Sequence, residues 1–228
     1  MEKRKTLIET HDLMFFYNPE TIILKNINLK VYEGEFISIL GSSGSGKTTL
    51  LSLLAGLDNP KGGEVILLGK NVSDIKEKDM SILRRTKLGY VFQFFNLAPY
   101  LTIEENILIP IYLNHEKKNK YKEKLESLLD FLSLKNRRKA YPNDCSGGEQ
   151  QRAAIARSLI YSPSLIFLDE PTGNLDSENS KNLMILLKRI NEEKGVTIVQ
   201  VTHSEENAKY GKRIIRLKDG EILNDYTL

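Results

Sequence analysis

Apolar and polar positions divide the chain into a strand-rich first part and an alternating second part. Residues 6–17 and 21–31 are short apolar segments separated by an Asn-Pro-Glu turn, which predicts two strands. Residues 35–40 form an apolar run typical of a buried strand, and residues 64–68 follow a turn rich in Gly and Pro. The pattern therefore predicts a β-rich region up to residue 68.

Helical periodicity enters further along the chain. Residues 76–87 are charged and compatible with a helix, and residues 88–93 predict a strand that ends on a glutamine. After a basic loop at 135–144, helix and strand alternate from residue 146 onward, which predicts parallel βαβ units and an α/β fold. An amphipathic helix is predicted from apolar residues at i, i+4, i+7, i+8 and i+11, namely Tyr121, Leu125, Leu128, Leu129 and Leu132.

Composition narrows the possible classes of protein. The 228 residues predict one large domain, or a domain with a subdomain. The net charge of +3 comes from 33 basic and 30 acidic residues, so nothing global indicates nucleic acid as a partner. The single cysteine excludes an internal disulfide and suits a reducing compartment. The start of the chain is basic but lacks the apolar stretch of a signal peptide, and no apolar run is long enough to span a bilayer. We therefore expect a soluble protein that reaches a membrane only through a partner.

A glycine-rich loop carries the strongest chemical signal. It fits the phosphate-binding pattern G-x-x-x-x-G-K-[ST] and lies between a predicted strand and a predicted helix, as that motif requires. Glycines let backbone N–H groups wrap a triphosphate, while Lys47 adds charge and Thr48 offers a hydroxyl to Mg²⁺. A merely flexible turn would not require Lys-Thr at this offset. The predicted phosphate-binding residues are Gly41, Ser42, Ser43, Gly44, Ser45, Gly46, Lys47, Thr48 and Thr49.

Polar residues close three further predicted strands. The apolar run 164–168 ends in Asp169, predicted to reach Mg²⁺, and Glu170, predicted to polarise an attacking water. Since the next residue is proline, Glu170 is expected to be extended. His203 follows the strand 196–202, where it could contact the γ-phosphate, and Gln93 could bind Mg²⁺ or water. Taken alone, each is equally compatible with an ordinary surface turn.

A second anion site is predicted at Ser146-Gly147-Gly148-Glu149. Ser146 and Glu149 form a capping box, which on its own is a sufficient structural explanation for these two residues. It does not explain two glycines in the first helical turn, where each weakens the helix by about 1 kcal/mol. They leave N–H groups accessible at a positive helix end. Because the first site has its own lysine, we expect a symmetric dimer in which each glycine pair caps its partner's nucleotide.

Together these motifs resemble ATP-binding cassette (ABC) ATPases over essentially the whole chain. The resemblance rests on residues 41–48, Gln93, 146–152, 169–170, Asn174-Leu175-Asp176 and His203, in this order. It implies a P-loop NTPase (RecA-like) fold with a mainly parallel sheet, an N-terminal antiparallel β-subdomain and an inserted helical subdomain. A single ABC domain is then expected at 1–228. Its nucleotide-binding core would span 1–92 and 161–228, and its helical subdomain about 93–160.

The resemblance also implies roles for particular residues. Tyr17 would stack on adenine, although an ordinary core aromatic remains the alternative. Glu170, His203 and Lys47 would be catalytic. Thr48, Gln93 and Asp169 would hold Mg²⁺. The residues expected to bind ATP of the other copy are Ser146, Gly147, Gly148, Glu149 and Asp176.

Finer features resemble the macrolide-exporter, lipoprotein-releasing and bacitracin-resistance branch of the family, especially residues 92–102, 105–107 and 171–176. This branch implies ATP-dependent dimers that engage a membrane permease through about 94–113, on the cytoplasmic face of a bacterial-type cell membrane. The expected substrates are amphipathic, peptide or lipid-linked. One departure is Cys145, where the family usually has Leu. It is interpreted as a small buried hydrophobe, with a redox role as the alternative.

Three functions remain open at this point. The first is a transport ATPase that powers a separate permease. The second, a soluble ABC ATPase acting on nucleic acid or ribosomes, is disfavoured by the short Gln93–Ser146 interval and the single cassette. The third is a non-pumping regulatory ATPase coupled to a membrane partner, as in cell division. The sequence does not specify the transported substrate.

Overall fold

Two sheets and the helices around them make up the computed structural model, which describes residues 4–228. The strands are β1 (Thr6–Asn18), β2 (Thr21–Tyr32), β3 (Phe36–Leu40), β4 (Gly62–Leu67), β5 (Lys70–Asn71), β6 (Leu88–Val91), β7 (Leu165–Asp169), β8 (Thr197–Thr202), β9 (Arg213–Lys218) and β10 (Glu221–Thr227). The helices are α1 (Lys47–Leu54), α2 (Glu77–Thr86), α3 (Ile103–Leu113), α4 (Lys122–Phe131), α5 (Gly147–Leu159), α6 (Ser177–Lys194) and α7 (Glu205–Ala208).

The smaller sheet is antiparallel and the larger one is mainly parallel. The four-stranded sheet has the order β2-β1-β4-β5, and the six-stranded sheet has the order β10-β9-β3-β8-β7-β6. Only the β10–β9 pair of the larger sheet is antiparallel. The predicted fold class is therefore confirmed. Among the described residues, no helix has the length and apolarity needed to cross a membrane.

Some element boundaries differ from the predictions. β6 ends at Val91, so Gln93 lies beyond the strand rather than closing it, and α1 already begins at Lys47 within the glycine-rich loop. The basic stretch predicted as a loop contains two short 3₁₀ turns, at Lys135–Arg137 and Pro142–Asp144. Helix α3 was not predicted, because it is apolar on several sides and contains Pro110. Its start is fixed by a capping box between Thr102 and Glu105.

The central strands of the large sheet are buried on both faces, and their side chains alternate between two cores. In β7, Leu165 and Phe167 pack with α1 and the antiparallel sheet, whereas Ile166 and Leu168 pack with α3, α4, α5 and α6. This follows from the period of two along a strand and explains why β7 is apolar without interruption. The helices between β6 and β7 share a core with the sheet. The division into a core at 1–92 and 161–228 and a helical part at about 93–160 stays a prediction, and residues 1–3 lie outside the described residues.

We expect Phe167→Ala to destabilise the protein by about 3–5 kcal/mol, because it empties a fully buried position in the central sheet. Urea unfolding followed by circular dichroism measures this loss. Phe94→Ala is the matched control, since Phe94 is 68% exposed and the same truncation should change stability by less than about 0.5 kcal/mol. Equal losses in the two variants would contradict this account of the core.

Candidate active site

The glycine-rich loop joins the carboxyl end of β3 to the amino end of α1. Gly44 and Gly46 have φ values of +81° and +96°, a conformation that residues with a Cβ rarely adopt. Gly46 caps α1 without a side-chain hydrogen bond, and the first turn of that helix contains no acidic residue. The hydroxyl of Ser45 is buried without a hydrogen-bond partner among the described residues. The helix end and this hydroxyl therefore suit an anion.

Position 41 requires a glycine because of close packing, and not because of its φ. A Cβ at this position would lie 2.3 Å from the carbonyl oxygen of Leu217 in β9 and 2.6 Å from Oγ of Ser45. The loop therefore starts pressed against the neighbouring strand, which fixes the direction in which it leaves β3.

The buried side chain of Lys47 connects this loop to the carboxylate that follows β7. Its ammonium donates a hydrogen bond of 2.9 Å to the carbonyl oxygen of Ser42, and it lies 4.0 Å from Oε1 of Glu170. The lysine thus holds the loop closed while its charge faces a carboxylate. This is where a phosphoryl group would need a cation on one side and a base on the other.

Asp169 and Thr48 form the second connection between the loop and β7. The Thr48 hydroxyl donates to Oδ1 of Asp169 over 3.0 Å. Burial raises the pKa of the Asp169 carboxyl, the charge of Glu170 raises it further, and the Thr48 hydrogen bond and Lys47 oppose the rise. One buried carboxylate beside one hydroxyl is the donor pair that Mg²⁺ takes alongside phosphate oxygens, so these residues fit that ion.

The backbone conformation predicted for Glu170 is wrong. The residue is not extended, since its φ is +44°. The following proline disfavours the right-handed helical region, and the left-handed region satisfies two constraints at once. The Glu170 N–H continues the parallel ladder by donating to Val201, while its carbonyl accepts from Gly173 and closes a turn. Strained backbone of this kind persists where the surrounding structure holds it, often at functional sites.

His203 completes the cluster. Its Nδ1 lies 3.1 Å from Oε2 of Glu170, and its ring is largely exposed. Glu170 therefore has the lysine near one oxygen and the imidazole at the other. A carboxylate held in this way is oriented to accept a proton from a water molecule. The structure brings together Lys47, Thr48, Asp169, Glu170 and His203, as the sequence predicted.

Gln93 lies at the edge of this cluster. Its main-chain carbonyl accepts a hydrogen bond of 2.8 Å from Asn174, and its side-chain amide approaches Gly173, where a Cβ would be 3.3 Å from Nε2. The glutamine therefore contacts the turn that follows Glu170. It makes no direct hydrogen bond to Asp169 or Thr48.

The second predicted anion site lies at the start of α5. Ser146 and Glu149 form the predicted capping box, and Arg137 also binds the Glu149 carboxylate over 2.7 Å. A Cβ on Gly148 would lie 2.9 Å from Oδ1 of Asn179, so this glycine is needed for close packing as well. Among the described residues, no hydrogen bond joins 146–149 to the loop 41–49. Asp176 caps α6 through the N–H of Asn179.

Comparison with known proteins identifies the family. The family described as ABC transporter matches residues 24–173. The chain belongs to the ABC transporter family. It is 49% identical over 205 residues to the lipoprotein-releasing system ATP-binding protein LolD of Aquifex aeolicus, covering 90% of this chain and 91% of that protein. It is 42% identical over 200 residues to the bacitracin export ATP-binding protein BceA of Halalkalibacterium halodurans, covering 88% and 79%.

A solved structure supports the same assignment. The ATP-binding cassette MJ0796, in a dimeric post-hydrolysis state bound to ADP and Pi, superimposes with a TM-score of 0.87 and 39% identity over 97% of this chain and 99% of that one. This chain is thus an ABC transporter ATPase.

The structure bears on two further predictions from the sequence, those for Tyr17 and Cys145. Tyr17 is 73% exposed at the end of β1, which removes the alternative of a core aromatic and leaves its ring accessible. Cys145 is buried, and its burial raises the pKa of the thiol. The thiol is therefore not shifted toward the reactive thiolate, and the small buried hydrophobe is the better description.

Several supporting contacts of the cassette were not predicted. Asn174 binds the carbonyl of Gln93, and Gln151 binds the carbonyl of Pro171. Arg157 of α5 donates to the carbonyl oxygens of Phe95 and Asn96. These contacts join residues far apart in sequence, and no local pattern indicates them.

We expect Asp169→Asn to abolish ATP hydrolysis and yet to raise the melting temperature of the metal-free protein by about 2–4 °C at pH 7, as for a gain of about 1 kcal/mol. Because the folded-state pKa of Asp169 is raised, the folded state binds the proton more readily than the unfolded state. Stability is therefore lost as pH rises through the folded-state pKa.

The stabilisation by Asn should accordingly shrink as the pH is lowered toward the ordinary pKa of aspartate. Melting curves between pH 4 and pH 8 measure it, about the range over which such carboxyls titrate. Asp130→Asn, at an exposed position in α4, is the control. A variant at 169 that melts below the wild type at neutral pH would contradict this interpretation.

Proposed function

We propose that this ATPase powers a separate membrane permease that exports or extracts an amphipathic, peptide or lipid-linked substrate. The placement of Glu170 between Lys47 and His203, beside the phosphate-binding loop, carries the hydrolytic part of the proposal. The names of LolD and BceA, a lipoprotein-releasing and a bacitracin-export protein, support the transport part. Neither name favours the non-pumping regulatory alternative.

ATP would bind between the loop and the exposed aromatic of β1. The main-chain N–H groups of residues 41–49 and the amino end of α1 would surround the phosphates, and Lys47 would exchange its hydrogen bond to Ser42 for phosphate oxygens. Tyr17 would offer its free face to the base. The buried hydroxyl of Ser45, which has no hydrogen-bond partner in the described part of the chain, is available to the same phosphates.

In hydrolysis, Glu170 would take the proton of the attacking water, and His203 would hold the carboxylate in place while facing the γ-phosphate. Lys47 would stabilise the negative charge on the transferring group. Thr48, Asp169 and Gln93 would hold Mg²⁺, which supplies charge neutralisation at the phosphates when bound. The raised pKa of Asp169 would then fall again, since a cation favours its charged form.

The complete site would require two copies of the chain. The start of α5 makes no hydrogen bond to the phosphate loop of its own chain among the described residues, yet it presents the positive end of a 13-residue helix. We infer that Ser146, Gly147, Gly148 and Glu149, with Asp176, contact the ATP bound to the other copy. The dimeric state of MJ0796 supports this arrangement.

The permease would dock on residues about 94–113. Phe94 is 68% exposed and Tyr100 is 89% exposed, and Tyr112 and Leu113 are exposed too. An apolar surface of this kind is typical of an interaction site. The loop is firmly held, because the buried Asn106 makes hydrogen bonds to the main chain of Ala98, Leu101 and Thr102. This docking would place the chain on the cytoplasmic face of the cell membrane.

We expect Glu170→Gln to lower ATP turnover at least about 100-fold, because an amide keeps the hydrogen bond to His203 but cannot take up a proton. ATP binding should persist, and an ATP-bound dimer should accumulate. Phosphate release measures the first effect and size-exclusion chromatography with ATP the second. The control is Glu192→Gln, which removes an exposed carboxylate of α6 outside the site. A Glu170→Gln variant that stays monomeric and hydrolyses normally would show that the assignment is wrong.

We expect the double variant Phe94→Ser, Tyr100→Ser to lose association with native membranes while its ATP turnover in solution stays within about twofold of wild type, because these side chains contribute apolar area only to a partner. Sedimentation of the tagged chain with membranes measures the association. The control is Tyr226→Ser on β10, an exposed aromatic on the edge strand opposite to β6. Retention of the double variant on membranes at the wild-type level would contradict the proposed surface.

A further inference from the structure

One buried amide connects helix α5 to the turn that carries Glu170. Gln151 is fully buried, and its Nε2 donates a hydrogen bond of 2.9 Å to the carbonyl oxygen of Pro171. Its Oε1 has no hydrogen-bond partner among the described residues. The side chain therefore makes one specific contact, and that contact is with the residue next to the catalytic carboxylate.

Helix α5 holds this turn through the main chain of Pro171. Pro171 has no N–H group, so its carbonyl is its only main-chain hydrogen-bonding group. Glu170 is held in the left-handed conformation by the hydrogen bond from Gly173 to its own carbonyl. A rotation of the peptide after Pro171 would disturb this turn and would move the Glu170 side chain. The donor at position 151 opposes that rotation.

The same helix begins at the glycine pair. Gln151 lies one helical turn after Gly147, so both belong to the first part of one rigid element. The tip of the helix also packs on the far end of the turn, because a Cβ on Gly147 would lie 3.3 Å from Leu175. A displacement of the α5 tip is therefore passed to the Glu170 turn at both ends.

We propose that Gln151 is a positioning residue that couples the two ATP sites of the dimer. When the α5 tip of one copy docks on its partner's triphosphate, Gln151 fixes the turn that holds Glu170 of its own copy. The proposal rests on the dimer of the proposed function. It predicts that Gln151 acts on the Glu170 of the same chain, and not on that of the chain whose nucleotide its helix caps.

Mixed dimers separate these two possibilities. A small amount of chain with intact Glu170 is mixed with a large excess of Glu170→Gln chain at saturating ATP, so nearly every intact site is paired with an inactive one. Gln151→Leu is placed either on the intact chain or on the excess chain. The rate of the single burst of phosphate per intact chain is measured by rapid quench.

We expect the burst to be about tenfold slower when Gln151→Leu is on the intact chain, because the loss of one buried hydrogen bond has an effect of this size. When the substitution is on the excess chain, we expect the rate to change by less than about twofold. Slowing only from the excess chain would mean that Gln151 merely supports the glycine tip, and would overturn the proposal. Equal slowing from both chains, or from neither, would overturn it too.

Two controls keep the result interpretable. Gln150→Leu removes the neighbouring glutamine, which donates to the carbonyl of Cys145 beside the helix tip and does not bind the turn, so any slowing that it causes should come from the excess chain, whose tip caps the intact site. Gln151→Met, which keeps the length of the side chain, replaces the leucine variant if melting curves show that the latter does not fold. Failure of the Glu170→Gln chain alone to dimerise with ATP would instead count against the proposed function.

Discussion

The site depends on the register of three parallel strands, which makes them end at the same level of the sheet. In the sheet, Leu40 of β3 pairs with Thr202 of β8, and Asp169 of β7 pairs with Val201. The strands therefore end at the same height and deliver the phosphate loop, two carboxylates and His203 to one edge. A slip of one residue would turn Asp169 to the opposite face, because successive side chains alternate. These strands are mostly apolar and are buried on both faces, which holds that register.

The edge so formed carries a concentration of unfavourable features. It holds two adjacent carboxylates with a single lysine near them, a buried carboxyl with a raised pKa and a glutamate with positive φ. Features that cost stability in this way cluster at functional sites. A cation bound together with the nucleotide would supply the positive charge that these carboxylates lack, so the folded protein is organised to receive such a ligand.

Local patterns were sufficient to predict the parts of the site at strand ends and at the start of α5. The phosphate loop, Asp169, Glu170, His203 and the capping box at 146–149 each follow from residue type and position along the chain. The sequence could not show α3, whose apolar faces and Pro110 hide its period, or the positive φ of Glu170, which results from a hydrogen bond to another strand. The sequence could not show why position 148 requires glycine either. The atom that leaves no room for a side chain there belongs to Asn179, on another helix. Contacts of Gln151, Asn174 and Arg157 likewise depend on proximity created by the whole fold.

The guanidinium of Arg157 has a consequence for association with a membrane partner. By donating to two successive carbonyl oxygens, those of Phe95 and Asn96, it fixes the main chain beside an exposed aromatic surface. A loop anchored in this way loses most of its conformational entropy during folding. Binding of a partner therefore restricts it little further. The proposed docking surface is therefore preorganised for a partner.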